Sequence, residues 1–260
     1  MRTRLILSIL LAALAVPSAA FAQEEAERGP LGEWTIWRVA PDDAAAFEAG
    51  VKKVLEASKL AALGEEHTWY IWQNGFSYGL YGPVADMAEF DDPEAFVRAH
   101  QGTAGEAMLM EAFEGFGALD YEVVSREVVE VPAEWSYTPE QPYTEGMGYA
   151  AIYESWMKPG TEMQADALSK EWVAFLKEVG YGYGAQGVRV HFGDVDRLMY
   201  ITYYTDPADY YGAHDFMKLV EEKGAGEKWA DIMTRWNALI RRYEESTWAY
   251  RADLSYTPSM

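Results

Sequence analysis

The chain of 260 residues contains no cysteine. Disulfides, thiolate metal sites and a lipid-modified N-terminal cysteine are therefore excluded. Basic residues are also scarce, with 21 Lys and Arg against 42 Asp and Glu, a formal net charge of −21. Such a surface repels nucleic-acid phosphates and anionic lipid, because binding either depends on Lys and Arg neutralising charge. Neither partner is expected. Histidine occurs four times. No His-Glu-x-x-His, glycine-rich phosphate loop or Gly-x-Ser-x-Gly elbow is present. The Glu65-Glu66-His67 and Asp194-x-Asp196 clusters are turn-like, and no metal site is assigned to them. The longest apolar run, Leu5 to Val16, is shorter than the about 20 residues a spanning helix needs.

That run follows Arg2 and Arg4 and precedes Ala20-Phe21-Ala22, a small-x-small site before Gln23. Residues 1–22 read as a secretory signal peptide, which places the mature protein in a periplasm or outside the cell. Losing Arg2 and Arg4 would take the charge from −21 to −23. The remainder is long enough for one large domain or two small ones with substantial cores. Aromatic residues are abundant, with 10 Trp, 18 Tyr and 10 Phe. This many suits core packing and also an aromatic-lined cavity.

The chain repeats itself. Asp92-Pro93-Glu94-Ala95-Phe96-Val97-Arg98-Ala99-His100 returns as Asp206-Pro207-Ala208-Asp209-Tyr210-Tyr211-Gly212-Ala213-His214, and Ser136-Tyr137-Thr138-Pro139 returns as Ser255-Tyr256-Thr257-Pro258. A module of roughly 115 residues is written twice. Each copy predicts strand, helix, hairpin, helix, strand. In the second copy these are a strand over Tyr149 to Met157 and an apolar helical stripe of Leu168, Trp172, Phe175, Leu176 and Val179. A hairpin around Gly193-Asp194 follows, then a broken helix from Pro207 to about Glu244 and a last strand from Trp248 to Leu254. The fold class is α+β, with two tandem ferredoxin-like βαββαβ modules. The first covers 23–132 and the second 147–260, joined by a linker at 133–146. Along Leu198 to Tyr204 both faces are apolar, so the sheet must be covered on both sides. Packing the two bare faces into a single-chain α+β barrel achieves that, and a monomer is expected from this internal pseudo-dimer, with further dimerisation left open.

The doubled order, with Asp-Pro-x-x-[Phe/Tyr]-x-x-Ala-His opening each second helix, resembles the dimeric α+β barrel superfamily over Gly32 to Pro258. That group includes antibiotic-biosynthesis-type, haem-degrading and chlorite-dismutase-like members, with the NIPSNAP and EthD-like families. The resemblance implies that His100 and His214 lie near the barrel mouth.

Those two histidines are the candidate catalytic residues, as general bases, ligand-orienting donors or a haem ligand. Their other reading is helix packing. Tyr70, Trp72 and Asn74 share a face of one strand and are candidate ligand contacts. If Val188 and Val190 meet the helices, Arg189 and His191 point between the sheets, and an inward Arg needs an acidic partner such as Glu154 or an anionic ligand. The expected function is binding of a small apolar or aromatic ligand in a pocket between the modules. The alternative is a cofactor-free or haem-linked monooxygenase or isomerase acting on an aromatic or quinone-type substrate. No cofactor is required by the sequence, and haem stays open.

Overall fold

A computed structural model describes residues 29–84, 94–140, 142, 146–212 and 216–258. The expected signal peptide, Asp92-Pro93 and His214 lie outside the described residues.

The first module runs β1 (Leu31–Val39), α1 (Ala44–Leu60), β2 (Tyr70–Asn74), β3 (Ser77–Val84), α2 (Ala95–His100), α3 (Glu106–Phe116) and β4 (Tyr121–Glu130). The second runs β5 (Tyr149–Met157), α4 (Glu162–Val179), β6 (Ala185–Phe192), β7 (Arg197–Tyr204), α5 (Pro207–Tyr211), α6 (Phe216–Glu222), α7 (Gly226–Leu239) and β8 (Ile240–Tyr250). Local chemistry sets several boundaries. Pro41 opens the 3-10 turn that leads into α1. Gly180 ends α4 in the left-handed region at φ 71°, where its N–H and that of Tyr181 both reach Leu176 O. Gly75, at φ 57°, turns the β2–β3 hairpin after Asn74. Asp206 caps α5 by accepting from the Asp209 N–H at 2.9 Å.

One expected boundary is corrected. The last helix stops at Leu239 rather than near Glu244, and β8 begins at once with Ile240. The physical reason is pairing: β5 is matched residue by residue against β8 from Tyr149↔Ala249 to Met157↔Ile240. A buried central strand needs that partner along its whole length.

The eight strands close a barrel in the order β1-β3-β2-β8-β5-β7-β6-β4. The modules do more than stack their faces, because their edges also pair. Trp72↔Tyr250 and Gln73↔Ala249 join one seam, and Val128↔Phe192, Val129↔Val190 and Glu130↔Arg189 join the other. Inside lie Trp34, Trp72, Val129, Ala150, Ile152, Val188, Val190, Met199 and Trp248. Outside, helices cover each half-sheet around separate clusters: Phe47, Leu55, Ile71 and Tyr78 in the first module, Leu168, Phe175, Val220 and Ile232 in the second.

The repeated Ser-Tyr-Thr-Pro segments form a reciprocal clasp. Tyr137 follows the first module, yet it pairs with Ala185 at the start of β6, N–H to O at 2.7 and 2.9 Å. Tyr256 follows the second module and pairs in the same way with Trp69 just before β2, at 2.9 and 3.0 Å. The Tyr137 hydroxyl donates to Tyr181 O and the Tyr256 hydroxyl to Leu63 O, each at 2.7 Å. Ser136 and Ser255 each donate to the carbonyl four residues earlier. Each module therefore ends in a strap that packs on the other.

Candidate functional site

Among the described residues, three of the cavities follow directly from this architecture. The first is the barrel lumen, about 320 Å³, which draws its walls from both modules. Side chains alternate along a strand, so Tyr70 and Trp72 on β2, Met199, Ile201 and Tyr203 on β7, and Tyr250 on β8 all point inward. Trp72 packs against Tyr250 at 5.1 Å and Tyr203 at 5.8 Å between ring centroids. Tyr70 stacks on Tyr81 at 6.4 Å. Among the described residues, the polar pair at this wall is the Tyr203 hydroxyl donating to Gln186 Oε1 at 2.6 Å. Burial pushes the Tyr81 and Tyr203 phenols above their ordinary value, so both stay neutral donors.

One step further along the same faces of β5 and β7, the apolar wall gives way to charge. Arg197, 7 % exposed, bonds Glu127 and also donates to Glu154 Oε1 at 2.7 Å. Its Nε is buried without a partner. Burial raises both carboxyls above the usual range, and Arg197 only partly offsets it. Arg197 went unnoticed in the sequence. Its signal was there: it shares the inward face with Met199, Ile201 and Tyr203.

The other two cavities lie between each half-sheet and its helices. In the first module, Trp37, Phe47, His67, Trp69, Phe96 and Phe116 line about 680 Å³. In the second, Tyr153, Trp172, Tyr200, Trp229, Trp236 and Tyr243 line about 580 Å³. The Tyr200 and Ser169 hydroxyls lie buried side by side next to this second cavity, and burial pushes the Tyr200 phenol above its ordinary value.

The residues singled out from the sequence do not converge. Tyr70 and Trp72 line the lumen, whereas Asn74 is exposed at the hairpin end. Glu154 faces inward, but its partner is Arg197. Arg189 and His191 require a correction: Val188 and Val190 fill the barrel, so their neighbours face outward. Arg189 there lies over the Trp135 ring at 4.6 Å and near Asp166 and Glu130 at 3.7 and 3.8 Å. His191 Nε2 lies 2.6 Å from Glu130 Oε2. Burial alone would raise Glu130, but the His191 bond, the Gly29 N–H and Arg189 hold it below the usual range.

His100 is fully buried, away from the lumen, where α2 meets α1. Its Nδ1 donates to Phe96 O at 2.8 Å, since a carbonyl can only accept. Its Nε2 lies 3.2 Å from Ser58 Oγ, which also reaches Val54 O at 3.0 Å. With both ring nitrogens engaged, His100 does not fit the role of a haem ligand, and no step through haem is derived. Among the described residues, no group of three or more His, Asp or Glu side chains is placed to hold a metal ion.

The sequence matches no protein-family model and no curated protein. Solved structures do match. A candidate monooxygenase from Fusobacterium nucleatum superposes with a TM-score of 0.54 at 10 % identity, covering 86 % of this chain and 93 % of that one. A second, from Lactobacillus acidophilus, gives 0.50 at 10 % identity over 88 % and 97 %. What is shared is the fold, an eight-stranded closed barrel with helices outside it. An anthrone oxidase-like protein also matches, with a TM-score of 0.48 at 13 % identity over 87 % and 93 %. At these identities the likeness shows the shared barrel. Among the described residues, no helix is long and apolar enough to cross a membrane.

Proposed function

We propose that the protein is an exported binder of a small, largely apolar aromatic molecule, held in the barrel lumen between its two modules. The observation carrying this reading is the 320 Å³ lumen, walled by stacked Tyr and Trp side chains from both halves and offering the polar pair of Gln186 and Tyr203. An apolar cavity with few oriented polar groups is the usual form of a small-molecule site. The aromatic walls favour a flat ring, and the amide–phenol pair fixes one oxygen or nitrogen atom on it. Export rests on the basic, apolar and small-residue order of residues 1–22.

The test is to fill the lumen. Val188→Phe puts a ring into the cavity from the middle of β6. Binding of a naphthoquinone probe, followed by tryptophan quenching, should be lost while the far-ultraviolet circular dichroism is kept. Undiminished binding by the folded variant would overturn the lumen as the site.

A second reading is favoured by the buried Tyr200 hydroxyl, which lies beside Ser169 on the cavity wall: an oxygenase- or isomerase-like enzyme acting on an aromatic or quinone-type substrate in the second-module cavity. A phenol hydroxyl both donates and accepts, so with Ser169 as one neighbour it can still bond a substrate oxygen in the cavity. If so, oxygen uptake with naphthol substrates should be present in the native chain and lost in Tyr200→Phe.

A further inference from the structure

The second module gathers Tyr149, Tyr183 and Tyr204 into one buried cluster, whereas the first module's core sets Tyr78 and Tyr256 among Phe, Leu and Ile side chains. At the repeated helix, Phe96 and Val97 are replaced by Tyr210 and Tyr211. Packing therefore does not require the hydroxyls. These rings form an unbroken series. Trp172 and Trp229, on the cavity wall, are 5.3 Å apart between centroids. Phe216 bridges Trp229 at 5.1 Å to Tyr181 at 5.2 Å. Tyr181 meets Tyr183 at 5.6 Å, Tyr183 meets Tyr204 at 4.7 Å, and Tyr204 meets Tyr210 at 5.2 Å. Tyr210 meets Tyr211 at 4.9 Å. Tyr183 and Tyr204 are buried, at 1 % and 3 % exposure, while Tyr211 is 79 % exposed. The series runs from the inside of a cavity to open solvent.

The hydroxyls are provided for. Tyr183 donates to Asp209 Oδ1 at 2.9 Å and Tyr210 to Glu245 Oε1 at 2.9 Å. A phenol that loses an electron must also release its proton, because the oxidised phenol is a strong acid. A carboxylate at hydrogen-bond distance can take that proton and return it.

We propose that this series is a path for one-electron oxidation, carrying an oxidising equivalent from the Trp172–Trp229 pair to the surface at Tyr211. A one-electron oxidant held in the second-module cavity takes an electron from a tryptophan and is itself reduced. Tyr181 refills the tryptophan, and Tyr183, Tyr204, Tyr210 and Tyr211 each refill the one before. Protons shift to Asp209 and Glu245 as Tyr183 and Tyr210 are oxidised, and along the hydrogen bond between the Tyr181 and Tyr204 hydroxyls as each of those is oxidised; every one returns on re-reduction. The net change is one electron gained by the oxidant, a phenoxyl radical at Tyr211 and one proton released to water. A phenolic one-electron donor in solution can then reduce Tyr211, or two such radicals can couple into a dityrosine. The path uses the cavity of the oxygenase-like reading without needing its substrate, and it is indifferent to what occupies the lumen. Turnover and radical transfer are read separately, so either can fail alone.

The absence of cysteine makes the test clean. Ala230 is exposed beside Trp229, and Ala230→Cys would carry the molecule's single thiol, to which a ruthenium(II) tris-bipyridyl photosensitiser is attached. A flash with a sacrificial electron acceptor then generates the oxidant at one fixed place. The expected result is a tyrosyl signal in electron paramagnetic resonance and oxidation of Tyr211 by peptide mass spectrometry. In Tyr204→Phe and in Tyr210→Phe, oxidation of Tyr211 should be lost and damage should accumulate at Trp172 and Trp229. Tyr121→Phe, exposed on β4 of the first module and off the path, should leave Tyr211 oxidation as it was. Equal Tyr211 oxidation with and without the Tyr204 and Tyr210 hydroxyls would overturn the path. So would damage confined to the tryptophans in the unsubstituted series.

Discussion

Arg197 is shared by two glutamates that burial pushes toward the neutral form. A carboxyl whose folded pKa is raised above its unfolded value binds protons more tightly in the fold. Its contribution to stability is full below the unfolded value, and it is lost as pH rises through the folded value. For Glu154 the window opens at its ordinary value of 4.5 and extends upward. Glu154→Gln keeps the shape and removes the charge, while Glu127 still pairs with Arg197. Urea melts should show the variant's stability rising less on mild acidification than the native protein's. Asp253 behaves oppositely. Its bonds from Arg251 and Lys52 hold its carboxyl well below the usual range against some burial. Its contribution is present above the unfolded value and fades as pH falls through the folded one.

Residue identity alone could not have placed these groups. Both faces of β7 are apolar, so the sequence did not fix which face of the hairpin entered the barrel, and the expectation fell on Arg189. The register decides it: Val188 pairs with Met199, and both point inward. His100 looked functional because it is repeated and titratable. Its bonds to Phe96 and Ser58 show what position at a helix junction asks of it.

At the level of elements, the legible parts were those with strong period or punctuation. β5 reads as a near-continuous apolar and aromatic run over Tyr149 to Met157 and has those limits. The β2–β3 turn follows from Asn74-Gly75. The end of α7 was not legible, because Arg241-Arg242-Tyr243-Glu244-Glu245 is acceptable to a helix and only pairing with β5 makes it strand. Close approach of elements was equally hidden. A Cβ on Gly105 would stand 2.1 Å from Ala57 O, so α3 meets α1 where only glycine fits. Gly105→Ala should destabilise the fold by about 1–3 kcal/mol, read as a lower denaturation midpoint. The straps give a paired expectation. Tyr137→Phe and Tyr256→Phe each strand a carbonyl acceptor, Tyr181 O or Leu63 O. Each should cost about 1–3 kcal/mol in chemical denaturation. Similar losses at two sites 119 residues apart would reflect the symmetry of the clasp, and a loss at only one would contradict it.

The whole molecule closes its own sheet. Strand edges that would otherwise invite a partner are joined within the chain at both seams. A monomer is the expected state, and multi-angle light scattering at micromolar concentration checks it; a stable dimer would show that another surface mediates association. The doubled architecture was legible because the repeat was. The exchange of straps was not, since Ser136 to Pro139 reads as part of a linker until Tyr137 is seen beside Ala185.

That exchange bears on the durability of the chain. In a single-copy protein of this fold a tail of this kind would have to lie on another molecule; here both tails lie on the other half of the same chain. Cutting the backbone between the modules should therefore not release them. Each half would still grip its neighbour with the tyrosine at its own end, and the nicked protein should elute from a sizing column as one particle until denaturant is added.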